Sequence, residues 1–287
     1  MLKIERIRDL KEIYEYQMNM IFPYKYSIDY ETWKKSFIED VDGEGRVLFK
    51  ELDWKAAYED GKMVGVIQYG KTAFGFGEDG ELSKDVSYSV IRWLCFEENQ
   101  KEAGRMLLNE AMNAFGSAKR VYAFFHYFGM TCFARHGKLF ERYIWIEKAL
   151  REYGFAVEHE NVFYKSELDD VSDSDINIVW GEMTNGNQLA GQFMQGDMRV
   201  GGCEVHYLKE TQTVYLRWIY INEDLQNQGL GTKCMDSLKS SLLQKGFCKL
   251  DTDTAINNYR AQHYYEKNHF RREGITRSYY FDVPSIK

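Results

Sequence analysis

Two hydrophobic periods run along this chain, one of two residues and one of three to four, and they divide it into strands and helices. The sharpest change of period lies at 214–231. An apolar, β-branched run from Val214 to Ile221 predicts a strand. A polar turn follows at Asn222, Glu223 and Asp224, then Gln226, Asn227, Gln228, Gly229, Leu230 and Gly231. Beyond Gly231 a helical pattern carries Cys234, Met235 and Leu238 and ends before Gly246. Upstream, 3–7 reads as a short strand, and Asp9 caps a helix with Leu10, Ile13, Tyr14 and Met18 on one face. A second helix is predicted at 30–41, striped by Trp33, Phe37 and Ile38. Segments 54–58 and 63–69 flank Asp60-Gly61 as a β-hairpin. Then come a strand at 86–96, a helix at 104–115, a strand at 120–127, a loop at 128–138, a helix at 140–153 ending on Gly154, and a closing strand at 156–165. The remainder reads as strands at 176–183, 188–195, 198–208 and 214–221, the helix after Gly231, a strand at 249–254, a helix at 257–268 and a final strand at 275–283.

Length and composition narrow the setting. At 287 residues the chain is long enough for two domains, and 44% apolar and 16% aromatic residues can fill two cores. The net charge of −7 offers no basic face to a nucleic-acid backbone. The five cysteines, Cys95, Cys132, Cys203, Cys234 and Cys248, are widely spaced with no CxxC pair, as expected of free thiols in a cytosolic protein. The N-terminus has no apolar targeting core, and no run of about 18 apolar residues marks a membrane span. No His, Cys or carboxylate spacing suggests a metal site. The small, acidic stretch 168–175 is the best boundary, which predicts domains 1–168 and 169–287.

The two halves echo each other. Ile91-Arg92-Trp93-Leu94 recurs as Leu216-Arg217-Trp218-Ile219, 125 positions later (217 − 92). Carried forward without a gap, that offset sets Gly104 on Gly229 and Met106 on Gly231. The turn Gln195-Gly196-Asp197 repeats Asp60-Gly61-Lys62, and His269-Phe270 parallels Gly154-Phe155. Three matches in the same order predict a single duplication rather than a short-period repeat.

These residues carry a family likeness. Gln226-x-x-Gly229-x-Gly231, set between strand and helix, resembles the acetyl-CoA pyrophosphate signature of the GNAT (Gcn5-related) N-acetyltransferases. Asn258, Ala261, Tyr265 and Phe270 resemble that family's late helix, and 274–279 its closing strand. The likeness is clear over 176–287, and the echo extends a degraded version upstream. It implies an α/β (α+β) fold of two GNAT-like modules, each a mixed, mostly antiparallel sheet flanked by helices. Three departures stand out. Glu223 occupies a position that is often Pro. His269 replaces the usual Gly. Met106, at the echoed second glycine, would crowd a pyrophosphate, so the first module is expected to be a non-catalytic partner.

The site then follows in outline. Backbone N–H groups of Gln228, Gly229, Leu230, Gly231 and Thr232, with Gln226 and Asn227 in the same turn, can face a pyrophosphate at a helix N-terminus. The resemblance implies that the backbone of Ile219, Tyr220 and Ile221 pairs with the pantetheine arm and that Asn258 contacts it; a plain helix-capping role for Asn258 is equally open. Tyr265 is the candidate general acid for the departing thiolate, with Tyr264 assigned to the core. Glu204 is the candidate base; His206, Asp251 and Asp253 share the same alternation, and a water-mediated base stays open. The expected activity is acetyl-CoA-dependent acetylation of a primary amine, of a small molecule, by direct transfer. A protein or peptide acceptor and a non-catalytic acetyl-CoA sensor are the alternatives. The loops at 27–33 and 128–138 are the expected acceptor contacts.

Overall fold

A computed structural model describes residues 1–283 apart from 8, 20–26, 43, 135, 170–173, 185 and 186. The centre of the acidic stretch expected to divide the domains, 170–173, lies outside the described residues. The chain forms two compact units, Met1–Glu160 with Thr276–Lys287, and Asn161–Ile275. This partition differs at both ends from the expected division at 168/169.

The first unit contains strands β1 (Leu2–Glu5), β2 (Phe49–Glu59), β3 (Lys62–Thr72), β4 (Gly75–Phe76), β5 (Leu82–Ser83), β6 (Ser89–Phe96), β7 (Arg120–Ala123) and β8 (Leu139–Phe140). Its helices are α1 (Leu10–Asn19), α2 (Tyr30–Ile38), α3 (Lys101–Phe115) and α4 (Ile144–Tyr153). The second unit contains β10 (Asn177–Trp180), β11 (Gln188–Gln195), β12 (Met198–Leu208), β13 (Thr213–Ile221), β14 (Lys249–Ala255), α5 (Leu230–Gln244) and α6 (Tyr259–Lys267). Two further strands, β9 (Ala156–Glu167) and β15 (Arg271–Asp282), each have residues in both units.

In the first unit the strands run in the order β1-β2-β3-β6-β7, followed by the end of β15. In the second the order is β10-β11-β12-β13-β14, followed by the end of β9. Every neighbouring pair is antiparallel except β6 with β7 and β13 with β14. The two sequences of strands are the same topology repeated, as the echo predicted. The outermost strand of each is exchanged. Tyr279–Asp282 pairs with β7, and residues 161–167 pair with β14. The segments expected to close their own halves therefore close the other one. Both have the same alternating pattern, so their hydrogen-bonding partner is a tertiary choice.

Several boundaries move for local reasons. The helix expected over 30–41 stops at Ile38, and Asp40 instead pairs with Arg92 and accepts from Thr131. The strand expected over 120–127 stops at Ala123, because Phe124 takes a positive φ of 56°. The helix expected from 140 begins at Ile144, after β8. The strand expected over 176–183 ends at Trp180, and the final strand begins at Arg271 rather than 275. Residues 30–33, also named among the expected acceptor contacts, are the first turn of α2 with Trp33 fully buried. The core of the second unit joins the inner face of its sheet (Val205, Val214, Leu216, Leu250) to α5 (Cys234, Met235, Leu238, Leu242) and to Tyr265 of α6. Burying side chains of this size contributes about 1.5–3 kcal/mol each. That packing presses the N-termini of both helices toward the end of β13.

Candidate active site

The site begins with a defect in pairing. β12 and β13 fall out of register after Glu204, where Trp218 pairs with Glu204 and Leu216 with Val205, leaving Arg217 as the extra residue. Such a bulge bends and twists its strand. On the opposite edge, β13 pairs with β14 only from Thr213 to Leu216, the last pair being Leu216 with Thr252. From Arg217 to Ile221 the chain keeps its partner β12, and the edge toward β14 has no strand partner. The two parallel strands thus form a fork, and a free strand edge presents alternating N–H and C=O groups to an extended ligand. Ile219, Tyr220 and Ile221 line the resulting cleft.

A turn then carries the chain from β13 to α5. Asn227 (φ 62°) and Gly229 (φ 80°) are both left-handed, and Gly229 is the residue before the first helical turn. No side chain caps that helix end, so its first N–H groups stay available at the positive end of the helix dipole. A Cβ built on Gly229 meets nothing within 4 Å, whereas one on Gly231 comes within 3.1 Å of the Tyr264 ring. The first glycine supplies conformation and open space; the second lets α6 approach. Tyr264 then donates its hydroxyl to the Gly231 carbonyl (2.8 Å). The proline often found at position 223 in the family is replaced by a different restraint. Asn222 donates through Nδ2 to the Arg199 carbonyl (2.8 Å), and its N–H to the Val200 carbonyl (2.9 Å). Gln226 Nε2 donates to the Ile221 carbonyl (2.8 Å), while its Oε1 accepts from Arg260 (2.8 Å). Gln228 ties back to the Asp224 carbonyl (3.1 Å).

Helix α6 forms the other wall. Asn258 accepts from the Ala261 N–H (3.1 Å), so the capping role is realised; the residue also lines the cleft. Tyr265 is 6% exposed, in contact with Tyr164 and Phe270, and reaches the cleft beside Thr252, where the fork opens. Burial raises its pKa, opposed more weakly by a hydrogen bond with Thr252. The phenol therefore keeps its proton at neutral pH. At the C-terminus of α6, His269 takes the left-handed position (φ 65°), with Phe270 N–H donating to the Tyr265 carbonyl (3.0 Å). The departure from Gly thus leaves the capping hydrogen bonds intact and costs about 1 kcal/mol of backbone strain. Gly154 and Phe155 make the same motif after α4.

The candidate base is placed differently. Glu204 accepts from Gln188 (2.7 Å), Arg217 (2.7 Å) and Trp218 (3.1 Å), and His206 Nε2 lies 3.5 Å away. Burial works against its charge, but the His206 and Arg217 contacts win and hold its pKa at about 2. A carboxylate so well supplied with donors has little proton affinity left, which weighs against the expected role. Asp253, on β14, accepts from Tyr215 (2.7 Å) and Asn161 (2.8 Å). The cleft, about 460 Å³, collects ten of the expected site residues: Ile219, Tyr220, Ile221, Gln226, Asn227, Gly229, Gly231, Thr232, Asn258 and Tyr265. Gln228, Leu230 and Glu204 are not on its lining. Arg260, His263 and Lys267 are, and the sequence reading missed them. Their spacing of three and four residues on α6 was the available signal.

A strand edge left free beyond a bulge, an uncapped helix behind Gly229 and a protonated tyrosine meet at one cleft. Residues 145–270 match the model of the Acetyltransferase (GNAT) family. Over this segment the chain is similar to the GNAT family. Among solved structures, the glucosamine N-acetyltransferase region of a fungal multi-domain GH3 β-N-acetylglucosaminidase is 10% identical, with a TM-score of 0.64 over 98% of this chain. The chain spans only 38% of that protein's length. A tandem GNAT protein from the clavulanic acid biosynthesis pathway is 10% identical, with a TM-score of 0.60 over 99% of this chain and 100% of its own. A GNAT-family acetyltransferase from Colwellia psychrerythraea is 12% identical, with a TM-score of 0.52 over 97% and 98% of the two chains. No curated protein matches the sequence. The likenesses establish a tandem GNAT fold. Among the described residues, no helix is long and apolar enough to cross a membrane.

Proposed function

We propose that the second unit binds acetyl-CoA and acetylates a primary amine of a small molecule by direct transfer. The observation that carries this reading is the fork in β13, whose unpaired edge runs from the Arg217 bulge to the uncapped start of α5, with Tyr265 at its apex. Acetyl-CoA supplies the activated acyl group as a thioester. The N–H groups from Gln228 to Thr232 hold its pyrophosphate, and the edge at Ile219, Tyr220 and Ile221 aligns its pantetheine arm. Asn258 adds to that wall. Tyr265 gives its proton to the sulfur as the carbon–sulfur bond breaks, and water restores the proton. The amine must arrive neutral. Glu204, held as an anion by its donors, orients Arg217 and Trp218 rather than accepting the amine's proton, and solvent takes it.

The test is release of free thiol from acetyl-CoA against a panel of amines, for wild type and Tyr265→Phe. The panel includes an amino sugar, since the fungal neighbour carries a glucosamine N-acetyltransferase region. It also includes polyamines and aminoglycosides, which the net charge of −7 would attract, and a lysine peptide. Turnover with a small amine and a large loss in Tyr265→Phe support the reading. Tight acetyl-CoA binding with no thiol release for any amine would identify a sensor, and a preference for the peptide would identify a protein acetyltransferase. Glu204→Gln separates the two roles of that residue: a loss below tenfold is expected, and a hundredfold loss with a displaced acid limb would restore it as the base. Calorimetry is expected to count one CoA site per chain, because the first unit lacks the long turn before its helix.

A further inference from the structure

The cleft contains a feature that neither the phosphate turn nor Tyr265 uses. Arg260, His263 and Lys267 all line it. At 100° per residue they fall within an arc of about 60° on α6, one continuous stripe. The helix has a single carboxylate, Glu266, which lies off this arc and accepts from the Tyr164 hydroxyl (3.0 Å). Two hydrogen bonds fix the direction of the stripe. Arg260 donates to Gln226 (2.8 Å), and Tyr264, about 40° from Arg260 at the edge of this arc, donates to the Gly231 carbonyl (2.8 Å). The stripe therefore runs alongside the turn whose N–H groups suit a pyrophosphate. All three basic side chains are exposed. In a chain of net charge −7, the charges of Arg260 and Lys267 along one wall of a cleft, with His263 between them as a hydrogen-bonding group, make a local field of the opposite sign.

We infer that this stripe is a second phosphate subsite, which reads the 3′-phosphate on the ribose of coenzyme A. The inference rests on the cofactor reading above. A pyrophosphate bound by backbone N–H groups carries no information about the far end of the nucleotide. The 3′-phosphate adds a terminal dianion beyond it. Lys267 offers a point charge and Arg260 a fork, half of which is already engaged with Gln226. The stripe thus makes the site selective for coenzyme A over its 3′-dephospho form, and it acts on binding without touching the reacting atoms.

The test is calorimetric binding of coenzyme A and of 3′-dephospho-coenzyme A to wild type and to a His263→Gln/Lys267→Gln variant, which leaves the Arg260–Gln226 bond in place. Wild type is expected to favour coenzyme A by about tenfold or more at low salt, the difference shrinking as salt rises toward about 0.5 M. The double variant is expected to lose that preference while keeping its affinity for the dephospho form. Equal affinities in wild type would overturn the inference, as would a variant that weakens both ligands equally. If neither ligand binds wild type, the cofactor reading fails as well. If dephospho-coenzyme A binds as tightly as coenzyme A, only the 3′-phosphate subsite fails. Arg260→Gln, measured alongside, is expected to weaken both ligands, because it also releases Gln226.

Discussion

β6 and β13 are the same strand used twice, and their differences show where a binding site is made or lost. Both carry Arg-Trp, and both bulge at the arginine: Gln68 pairs with Trp93 and Tyr69 with Ile91, so Arg92 is the extra residue as Arg217 is. Both fork from a parallel neighbour directly afterwards, β6 keeping β7 only from Ser89 to Ile91. Beyond the fork they diverge. Eight residues, 222–229, connect β13 to α5, whereas four, 97–100, connect β6 to α3. The ungapped echo set Gly104 on Gly229. The helices show instead that four residues of the turn have no counterpart, so Gly104 lies inside α3, where an added Cβ would come within 2.5 Å of the Phe96 ring. The expected crowding by Met106 is thus replaced by a simpler cause: the phosphate turn itself is missing. The free edge is also taken, because Trp145 Nε1 donates to the Phe96 carbonyl (2.8 Å). Met130, Phe133 and Tyr143 crowd the space beside Arg92–Cys95, leaving about 30 Å³, against about 460 Å³ in the second unit.

The arginines express the same divergence. Arg92 is buried, ion-paired with Asp40 and donating to the carbonyls of Phe128 (2.9 Å) and Ser36 (3.1 Å). Arg217 is one-third exposed and pairs with Glu204. The largest expected effect is therefore on stability. Arg92→Met strands the Asp40 carboxylate and should cost about 3–5 kcal/mol in denaturant unfolding, while Arg217→Met should cost under about 1 kcal/mol. Equal losses would break the comparison. Next, Tyr265→Phe should lower kcat by at least about a hundredfold with little change in acetyl-CoA affinity, measured by steady-state kinetics and calorimetry. The glycines should then separate the units. Gly231→Val pushes on Tyr264 and should weaken coenzyme A binding about tenfold, whereas Gly104→Ala overpacks Phe96 and should cost about 1–3 kcal/mol of stability without changing affinity. The smallest effect belongs to the helix ends. His269→Gly removes left-handed strain and should stabilise by up to about 1 kcal/mol, seen as a small rise in Tm, because the equivalent Gly154 shows what that position prefers.

The pH response of Glu204 sharpens the same contrast. Its folded pKa lies below the unfolded one, so its contribution to stability is complete above the unfolded carboxylate range and is lost as pH falls through about 2. Glu204→Gln should flatten the acid limb of a stability-versus-pH curve between about pH 4.3 and 2, and leave the curve near pH 7 unchanged in slope.

Local pattern was enough for most of the elements, for the duplication and for the turn at 226–232, because a strand, a glycine turn and a helix N-terminus are determined by neighbours in the chain. The spacing from Asn258 to Tyr265 placed a tyrosine on the cleft for the same reason. What the chain alone could not state involved partners far away in sequence. β9 and β15 have interchangeable alternation, and only hydrogen bonding across the sheet decides that each closes the opposite unit. Glu204 has the i, i+2 placement of a base, and only the donors gathered from Gln188, Arg217, Trp218 and His206 take its proton affinity away. The basic stripe on α6 was legible as a spacing but had no meaning until Tyr264 and Arg260 turned it toward the phosphate turn. Backbone conformation is a short-range property and survives reading in one dimension. Proton affinity, partner choice and the filling of a fork are sums over groups that only the folded chain brings together.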